Sequence, residues 1–401
     1  MSRDLSKTAL DRDVEVAFER LAEWCRARDW AGHDPFDGLN SRLFQSTPLK
    51  RSRVARLAWT QAFKRAPVNL RAPALVPVGR NAKGTALFAL AALSRFRATG
   101  EGAGEARELL DALLAARLEG ESGASAWGYN FDWQGRAFFA PRGTPTVVPT
   151  AFAARALVEA ARAFNDETYL RAARGACEFI LGDLKRSAEA ADEICFSYTP
   201  LDETRVFNAS LLAGEALASV GALTGEGELL TAATRAARYV VRRQRADGSW
   251  AYGAAGFQGW ADNFHTAFVL TSLARIMAAC DEGARAEFAE SLRRGYEFWR
   301  KNFFLADGWP KYYHDNPYPA DAHSTGAAVV ALVELKDTMP DALAVADRVL
   351  GWTLAHLRDP RRGFFYYQRR RFYTIRTPYM RWTQAWMMYA LARRMEERGK
   401  G

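Results

Sequence analysis

The sequence predicts an all-α fold built as a closed double ring, an (α/α)6 toroid of six inner and six outer helices. Three observations support this prediction: a motif recurs about every sixty residues, two kinds of helix alternate, and long connections all fall on one side of the ring. An open solenoid is the rival arrangement. Extended structure is expected only in short hairpins such as 363–373.

Each repeat has three marked positions: a small or polar anchor, a small residue six positions after it, and a leucine seven positions after it. Successive anchors are 64, 60, 56, 59 and 59 residues apart, and they are Ala86, Thr150, Ser210, Thr266, Thr325 and Gln384. The leucines are Leu93, Leu157, Leu217, Leu273, Leu332 and Leu391. A small residue before each leucine indicates close approach of neighbouring helices.

Amphipathic helices alternate with these apolar segments. In 230–241 the apolar residues recur with a period near 3.6, and similar stretches occur at 105–118, 167–183, 285–302 and 341–357. A helix near 10–28 or 50–65 can supply the sixth outer partner. We therefore expect a toroid domain over residues 50–401, with residues 1–49 as a helical arm packed on it.

Long connections lead from each outer helix to the next inner helix, at 119–145, 184–204, 245–262, 303–320 and 358–378. Long, aromatic-rich connections in a compact domain are usually functional, so we predict a binding site at the rim that they form. The substrate-binding candidates are Trp127, Tyr129, Asp132, Trp133, Tyr198, Arg205, Asn208, Trp250, Trp260, Trp309, Arg376, Tyr379, Arg381 and Trp382.

Composition is that of an ordinary globular chain, with 49% hydrophobic and 25% charged residues. No apolar run is long enough for a transmembrane segment, and the N-terminal residues do not resemble a secretory signal. The four cysteines follow no pattern, which favours free thiols. We therefore expect a cytoplasmic protein.

The net charge of +9 is concentrated near the C-terminus: residues 358–400 hold twelve basic and three acidic residues, and the rest is neutral overall. This distribution argues against a nucleic-acid partner. The arginines of interest are Arg361, Arg362, Arg369, Arg370, Arg371, Arg376 and Arg381. They form either a solvated loop or a site for an anion, such as an acidic oligosaccharide or a lipid-linked sugar.

Carboxylates and imidazoles recur where inner helices begin. The candidate catalytic residues are Asp202, Asp262, His265, Asp321 and His323. A helix-capping aspartate with a hydrogen-bonded histidine is the structural interpretation, and a general acid–base pair is the functional one. The reaction stays open between hydrolysis, which needs two carboxylates, and epimerisation or elimination, which need a base and a neutralised carboxylate. A non-catalytic glycan-binding or polysaccharide-assembly protein is the alternative.

No metal site and no cofactor are expected. The sequence has no Cys-x-x-Cys or His-Glu-x-x-His motif and no glycine-rich phosphate loop between a strand and a helix.

Two resemblances add to this interpretation. The segment 235–250, with Gln244, Gly248 and Trp250, resembles the QW motif of squalene–hopene-type cyclases, in which the motif ties outer helices to loops; it leaves a terpenoid-binding protein as a minor alternative. Residues 30–395 resemble six-hairpin toroids that act on sugars, among them N-acylglucosamine 2-epimerases and unsaturated glucuronyl hydrolases. The segments 33–41, 260–266 and 381–386 resemble chains associated with bacterial exopolysaccharide biosynthesis. These resemblances imply a fold and a substrate class, and they assign no catalytic residue.

Overall fold

A computed structural model describes residues 8–120 and 124–399. Within these ranges the helices are α1 (Ala9–Arg26), α2 (Arg42–Gln45), α3 (Arg53–Arg65), α4 (Ala82–Thr99), α5 (Ala103–Ala115), α6 (Val147–Phe164), α7 (Glu167–Gly182), α8 (Phe207–Thr224), α9 (Gly227–Val241), α10 (Asn263–Ala279), α11 (Glu282–Phe303), α12 (Ala322–Glu334), α13 (Ala342–His356) and α14 (Trp386–Gly399). Short 3-10 turns precede α2, α3 and α10, and a π-helical turn over Met380–Ala385 leads into α14.

The inner ring consists of the even-numbered helices from α4 to α14. Each packs against the next, and α14 packs against α4, so the ring is closed. The leucines of the sequence repeat all lie on these helices, and none of them is exposed. The (α/α)6 toroid is therefore confirmed.

The outer ring contains α5, α7, α9, α11 and α13, each joined to the preceding inner helix by a short connection. Helix α1 takes the sixth outer position, since it packs against α13 and α14. Of the two candidates for that position, the segment near 10–28 is the one that fills it. Helix α3 instead contacts the strand at Trp133–Gln134 and the 3-10 turns that flank α2.

Short antiparallel hairpins occupy the long connections. They pair β1 (Leu118–Glu119) with β2 (Ser125–Ala126), β3 (Trp133–Gln134) with β4 (Phe139–Ala140), and β5 (Arg186–Glu189) with β6 (Ile194–Phe196). A three-stranded sheet joins β7 (Ala320–Asp321), β8 (Gln368–Arg369) and β9 (Thr374–Ile375).

The polar anchors of the repeat hold these connections to the inner helices. Thr150 Oγ1 accepts the backbone N–H of Trp127 at 2.9 Å, and Ser210 Oγ accepts that of Phe196 at 3.1 Å. The Gln384 amide accepts the N–H of Phe365 and donates to the same residue's carbonyl, both at 2.8 Å. A buried backbone group needs a partner, so the polar side chains of Thr150, Ser210 and Gln384 fix three of the connections.

The QW-like segment ties α9 to α11. The Gln244 amide donates to the Gly248 and Ser291 carbonyls at 2.9 Å, and the Trp250 indole donates to the Val240 carbonyl at 3.0 Å. Gly248 has φ +90°, and a Cβ on Gly295 would lie 2.3 Å from the Trp250 ring. The motif therefore has an architectural function in this chain.

Ion pairs join every neighbouring pair of inner helices. Glu215 of α8 contacts Arg155 of α6 at 2.6 Å and Arg275 of α10 at 2.9 Å. The chain of contacts continues around the barrel to include Glu334, Arg393, Glu396, Arg97 and Glu159. We call these eight residues the ion-pair ring.

Two further properties concern the cysteines and the hydropathy of the helices. All four cysteines have free thiols. Among the described residues, no helix combines the length and the apolar character needed to cross a membrane.

We expect Glu215→Ala to lower the free energy of unfolding by about 3–5 kcal/mol, because it leaves the buried Arg155 guanidinium without a partner. Urea denaturation would measure the loss. Glu228→Ala, which removes an exposed glutamate in the first turn of α9, is the control and should change stability by less than about 1 kcal/mol. Equal losses in the two variants would show that the ring contributes nothing particular.

Candidate active site

A cavity of ≈ 1060 Å³ opens at the end of the toroid where the inner helices begin. Its wall comes from the long connections, from α3 and from the first turns of inner helices. Of the predicted residues, those that line it are Asp262, His265, His323, Tyr129, Trp133, Tyr198, Asn208, Trp260, Arg381 and Trp382. The structure thus places ten of the candidates around a single cavity.

Asp262 and His265 form a hydrogen-bonded pair at the start of α10. Asp262 is the N-cap, and one carboxylate oxygen accepts the backbone N–H of His265 at 2.9 Å. The other oxygen lies 2.7 Å from His265 Nδ1 and 3.3 Å from the Trp260 indole nitrogen. Because the carboxylate accepts the Nδ1 proton, Nε2 is left as the basic nitrogen of the neutral ring. Asp262 therefore caps the helix and also binds the imidazole of His265, so a capping function and an acid–base function are compatible.

His323 is fully buried in the first turn of α12 and faces the cavity. Among the described residues, neither ring nitrogen has a hydrogen-bond partner of ordinary geometry. Its ring packs on Trp382, with 4.0 Å between centroids, and on Phe264 at 4.6 Å. Burial, together with the nearby charges of Lys83 and Arg381, holds the pKa of His323 well below its usual range. The imidazole is therefore neutral at ordinary pH.

Both imidazoles share one aromatic wall. The centroid of Phe264 lies 3.9 Å from that of His265, and Phe268 lies about equally far from the two histidines, at 6.1 Å and 6.0 Å. The two rings are thus neighbours across Phe264 and Phe268, although 58 positions separate them in the chain.

Lys83 lies at the bottom of the cavity and was not predicted from the sequence. Its ammonium nitrogen is 4.5–5.4 Å from the ring centroids of Phe152, Phe268 and Trp386, which we call the aromatic floor. Burial first, and then the nearby Arg381, hold the pKa of Lys83 well below its ordinary value. No local pattern marks this lysine, since it stands alone in the first turn of an apolar helix.

A second wall of the cavity is aromatic with phenolic hydroxyls. Tyr129 and Tyr198 contact each other through their hydroxyls at 3.2 Å, and Trp133 packs against both rings. Tyr252 stacks on Trp260 with centroids 4.8 Å apart and lies 4.7 Å from the His265 ring. Flat apolar faces beside hydroxyl groups suit the two faces of a sugar ring.

Basic side chains outnumber carboxylates in the lining. The basic residues are Lys64, Arg65, Lys83, Arg136, Arg370 and Arg381, whereas the carboxylates among the described lining residues are Asp262 and Asp315. Burial lowers the pKa of Lys64 to about 8, and its ammonium lies 4.4 Å from the Phe36 ring. Of the arginines that the sequence grouped together, Arg370 and Arg381 line the cavity.

The N-terminal segment holds Arg381 in place. Arg381 Nε and Nη2 donate to the two oxygens of the Asp34 carboxylate, at 2.6 Å and 2.7 Å, and both side chains are buried. Asp37 pairs with Arg71 at 2.6 Å, and Arg71 donates to the Tyr379 hydroxyl at 2.7 Å. The segment that begins His33-Asp-Pro therefore supports the site from behind.

Three predicted carboxylates, Asp132, Asp202 and Asp321, are not among the residues that line the cavity. Asp202 accepts bonds from Thr199 and Thr204 within its own turn. Asp132 accepts the backbone N–H of Arg142 at 2.8 Å. Asp321 caps α12 and accepts bonds from the Gln368 amide at 2.7 Å and from the Trp382 indole at 3.4 Å, so it supports two lining residues from behind. Burial raises the pKa of Asp321.

Three predicted tryptophans also lie outside the cavity. The indoles of Trp127 and Trp250 donate to carbonyls at the ends of α5 and α9, and both side chains are buried. Trp309 donates to the Pro317 carbonyl and packs on Trp352. Aromatic enrichment of the long loops could not distinguish tryptophans that tie a loop down from those that face the cavity.

The remaining predicted residues are Arg205, Arg376 and Tyr379. Arg205 and Arg376 are exposed and away from the cavity lining, and Arg376 packs over Tyr366. Tyr379 is buried behind the wall, where its hydroxyl accepts the bond from Arg71 described above.

Among the described residues, no group of three histidine, cysteine or acidic side chains is arranged to hold a metal ion.

The sequence matches no family model and no curated protein. Its fold is similar to that of several solved structures. A cellobiose 2-epimerase from Bacillus thermoamylovorans has a TM-score of 0.63 and 14% identity, over 80% of this chain and 90% of the other. An unsaturated glucuronyl hydrolase specific for heparin has a TM-score of 0.61 and 14% identity, over 97% of each chain. A GH76 α-mannanase from Bacteroides thetaiotaomicron has a TM-score of 0.57 and 12% identity, over 79% and 86%. At these identities the likeness establishes a shared fold.

Proposed function

We propose that this chain is a carbohydrate-active enzyme that transfers a proton on an acidic sugar, with epimerisation as the reaction. The single observation that carries the proposal is the pair of imidazoles on one cavity wall: His265 is held by Asp262, and neither ring nitrogen of His323 makes a hydrogen bond of ordinary geometry. The likeness in fold to a cellobiose 2-epimerase and to a hydrolase specific for heparin supports the substrate class.

The environments of the two histidines suit opposite halves of an epimerisation. His323 is neutral because burial and neighbouring cations disfavour its charged form, so it can accept the proton of a C–H bond next to a carbonyl or carboxylate. The electron pair of that bond then moves onto the carbonyl or carboxylate oxygen. His265, whose Nδ1 is hydrogen-bonded to Asp262, can return a proton from Nε2 to the opposite face of the same carbon when that carbon lies between the two rings. In the reverse direction the two roles exchange.

Hydrolysis has less support in the cavity lining. It needs two carboxyl groups flanking the scissile bond. Of the two described carboxylates in the lining, Asp262 is already engaged by His265 and the Trp260 indole. Elimination uses the same base as epimerisation and differs only in losing a substituent from the adjacent carbon, so it remains an outcome of the test.

The basic lining favours an anionic substrate. Arg136 and Arg370 line the cavity and make no ion pair with a described carboxylate, whereas Arg381 is already paired with Asp34. A guanidinium group can pair with the carboxylate of a uronate or with a phosphate, which also stabilises charge that develops as the proton leaves.

We expect incubation of uronate-containing oligosaccharides in deuterated water to introduce solvent deuterium at the carbon next to the carboxylate, without chain cleavage. His265→Ala and His323→Ala should each lower the exchange rate by roughly 10²–10⁴-fold, which is the usual contribution of a general acid or base. Deuterium incorporation is read by NMR and mass spectrometry. His356→Gln is the matched control, since His356 lies on outer helix α13 and stacks on Trp352.

Other products would contradict epimerisation. New reducing ends would indicate hydrolysis, and an unsaturated product would indicate elimination. Saturable binding of acidic oligosaccharides with no exchange in the wild-type protein would favour the glycan-binding alternative, for which the aromatic wall alone is sufficient.

We also expect affinity for an acidic oligosaccharide to fall as ionic strength rises, because salt screens exposed charges. Arg136→Gln and Arg370→Gln should each weaken binding by about tenfold, the equivalent of one charge-assisted contact. Titration calorimetry at two salt concentrations measures both effects. Arg362→Gln removes the same charge from an exposed position outside the lining and should have little effect. Equal affinity for a neutral oligosaccharide at both salt concentrations would contradict the anionic substrate.

A further inference from the structure

We propose that the surface around the cavity mouth docks on the face of an anionic lipid membrane. The surface is formed by α3 with its flanking turns and by the tip of the β8–β9 hairpin. This inference is independent of the reaction proposed above, because it rests on the outer side of these elements.

Large apolar side chains are exposed on this surface. Val54 is 75% exposed, Val68 63%, Leu49 53%, and Phe372, at the hairpin tip, 86%. The outward face of α3 continues from Val54 through Ala58 and Ala62, both exposed. Isolated exposed apolar residues are common, but several on α3, on the segments that flank it and on an adjoining hairpin indicate a contact surface.

Unpaired cations surround these apolar side chains. Lys50, Arg51, Arg53, Arg65 and Arg371 are exposed, and none of them makes an ion pair with a carboxylate of the described chain. Arginines on the outer helices, such as Arg174, Arg238 and Arg293, are by contrast paired with glutamates. The sequence explains the difference, because it contains no acidic residue between Asp37 and Glu101 or between Asp359 and Glu396.

Hydrogen bonds hold the parts of the surface together. The Tyr373 hydroxyl donates to the Arg65 carbonyl at 3.3 Å, which joins the hairpin to the end of α3. At the other end, Arg56 donates to the Lys50 carbonyl at 2.7 Å, which fixes the turn before α3. The apolar and basic groups therefore belong to one continuous surface.

The combination of exposed apolar and basic side chains favours a membrane over a soluble polyanion or a second copy of this chain. A soluble polyanion can neutralise the cations, but it offers nothing apolar to the valine and leucine side chains. A second copy of this chain would bring two sets of unpaired cations together, which is repulsive. An anionic bilayer satisfies both groups, since apolar side chains enter the boundary of the acyl region while lysines and arginines contact the headgroups.

The proposed docking surface adjoins the mouth of the cavity. Leu57 and Lys64 of α3 and Arg370 of the hairpin line the cavity. Docking therefore presents the cavity mouth to the membrane, where a sugar attached to a lipid can enter it.

Sedimentation of the full chain with vesicles tests the proposal. The protein should bind vesicles of phosphatidylcholine containing roughly one-quarter phosphatidylglycerol, and binding should decrease with added salt. The double variant Val54→Glu/Phe372→Glu should weaken this binding by at least about tenfold, since it removes two apolar contacts and adds two negative charges. Val16→Glu is the control, because it replaces an exposed valine on the remote outer helix α1 by the same acidic residue.

Several results would overturn the proposal: no binding to the anionic vesicles at low salt, equal binding to vesicles of phosphatidylcholine alone, or equal weakening by Val16→Glu. Binding that resists Val54→Glu/Phe372→Glu but is lost in Lys50→Glu/Arg51→Glu would indicate a soluble polyanion instead. A dimer in sedimentation velocity that the double variant dissociates would identify a second copy as the occupant. Deuterium exchange in each variant, measured on a soluble oligosaccharide, separates failure of docking from failure of the proposed reaction.

Discussion

The closed ring of ion pairs is the constraint on which the rest of this toroid depends. Within the inner ring each helix packs against its two neighbours, and polar contacts add to that apolar packing. Alternating guanidinium and carboxylate groups do this by bridging each helix to the next. Burial would make the charges of Arg155 and Glu215 costly alone, and their pairing offsets that cost. Nearby arginines accordingly hold the pKa of Glu334 at about 2.

The candidate site is built directly on that constraint. The guanidinium carbon of Arg155, a member of the ion-pair ring, lies 4.8 Å from the centroid of the Phe152 side chain. The same side chain contacts the ammonium of Lys83 in the cavity. One aromatic layer thus separates the ion pairs from the cavity. Burial lowers the pKa of Lys83 most, Arg381 and then Arg155 of the ion-pair ring lower it further, and Lys83 in turn disfavours a charged His323. The protonation state of the proposed base therefore depends on the architecture beneath it.

Much of the fold could be predicted from sequence because helical packing leaves periodic signals. Small residue and leucine pairs marked every inner helix, and loop lengths marked the rim. The site was only partly predictable. Asp262 and His265 are three positions apart and so could be recognised as a pair, and ten of the proposed residues do line the cavity. Trp127 and Trp250 could not be excluded from the site on the basis of sequence. An indole N–H that holds a loop and one that faces a cavity belong to the same residue type.

The ion-pair ring left a periodic signal in the sequence, which a search for apolar residues does not detect. Arg155, Glu215, Arg275, Glu334 and Arg393 bridge helices at separations of 60, 60, 59 and 59 residues, the period of the apolar repeat. A search for repeated charge of alternating sign would have found them. Lys83 lies within an acid-free stretch, 38–100, which an average over the neutral part of the chain conceals.

Closure of the ring also has a consequence for biosynthesis. The contact between Arg97 of α4 and Glu396 of α14 spans 299 residues, so it can form only after nearly the whole toroid has left the ribosome. Until then the nascent chain is an open arc whose first inner helix, α4, presents an uncovered apolar side. Local helix pairs can form early, but the final closure is of high contact order and therefore slow. Nascent chains that end before α14 should accordingly be the ones that chaperones retain.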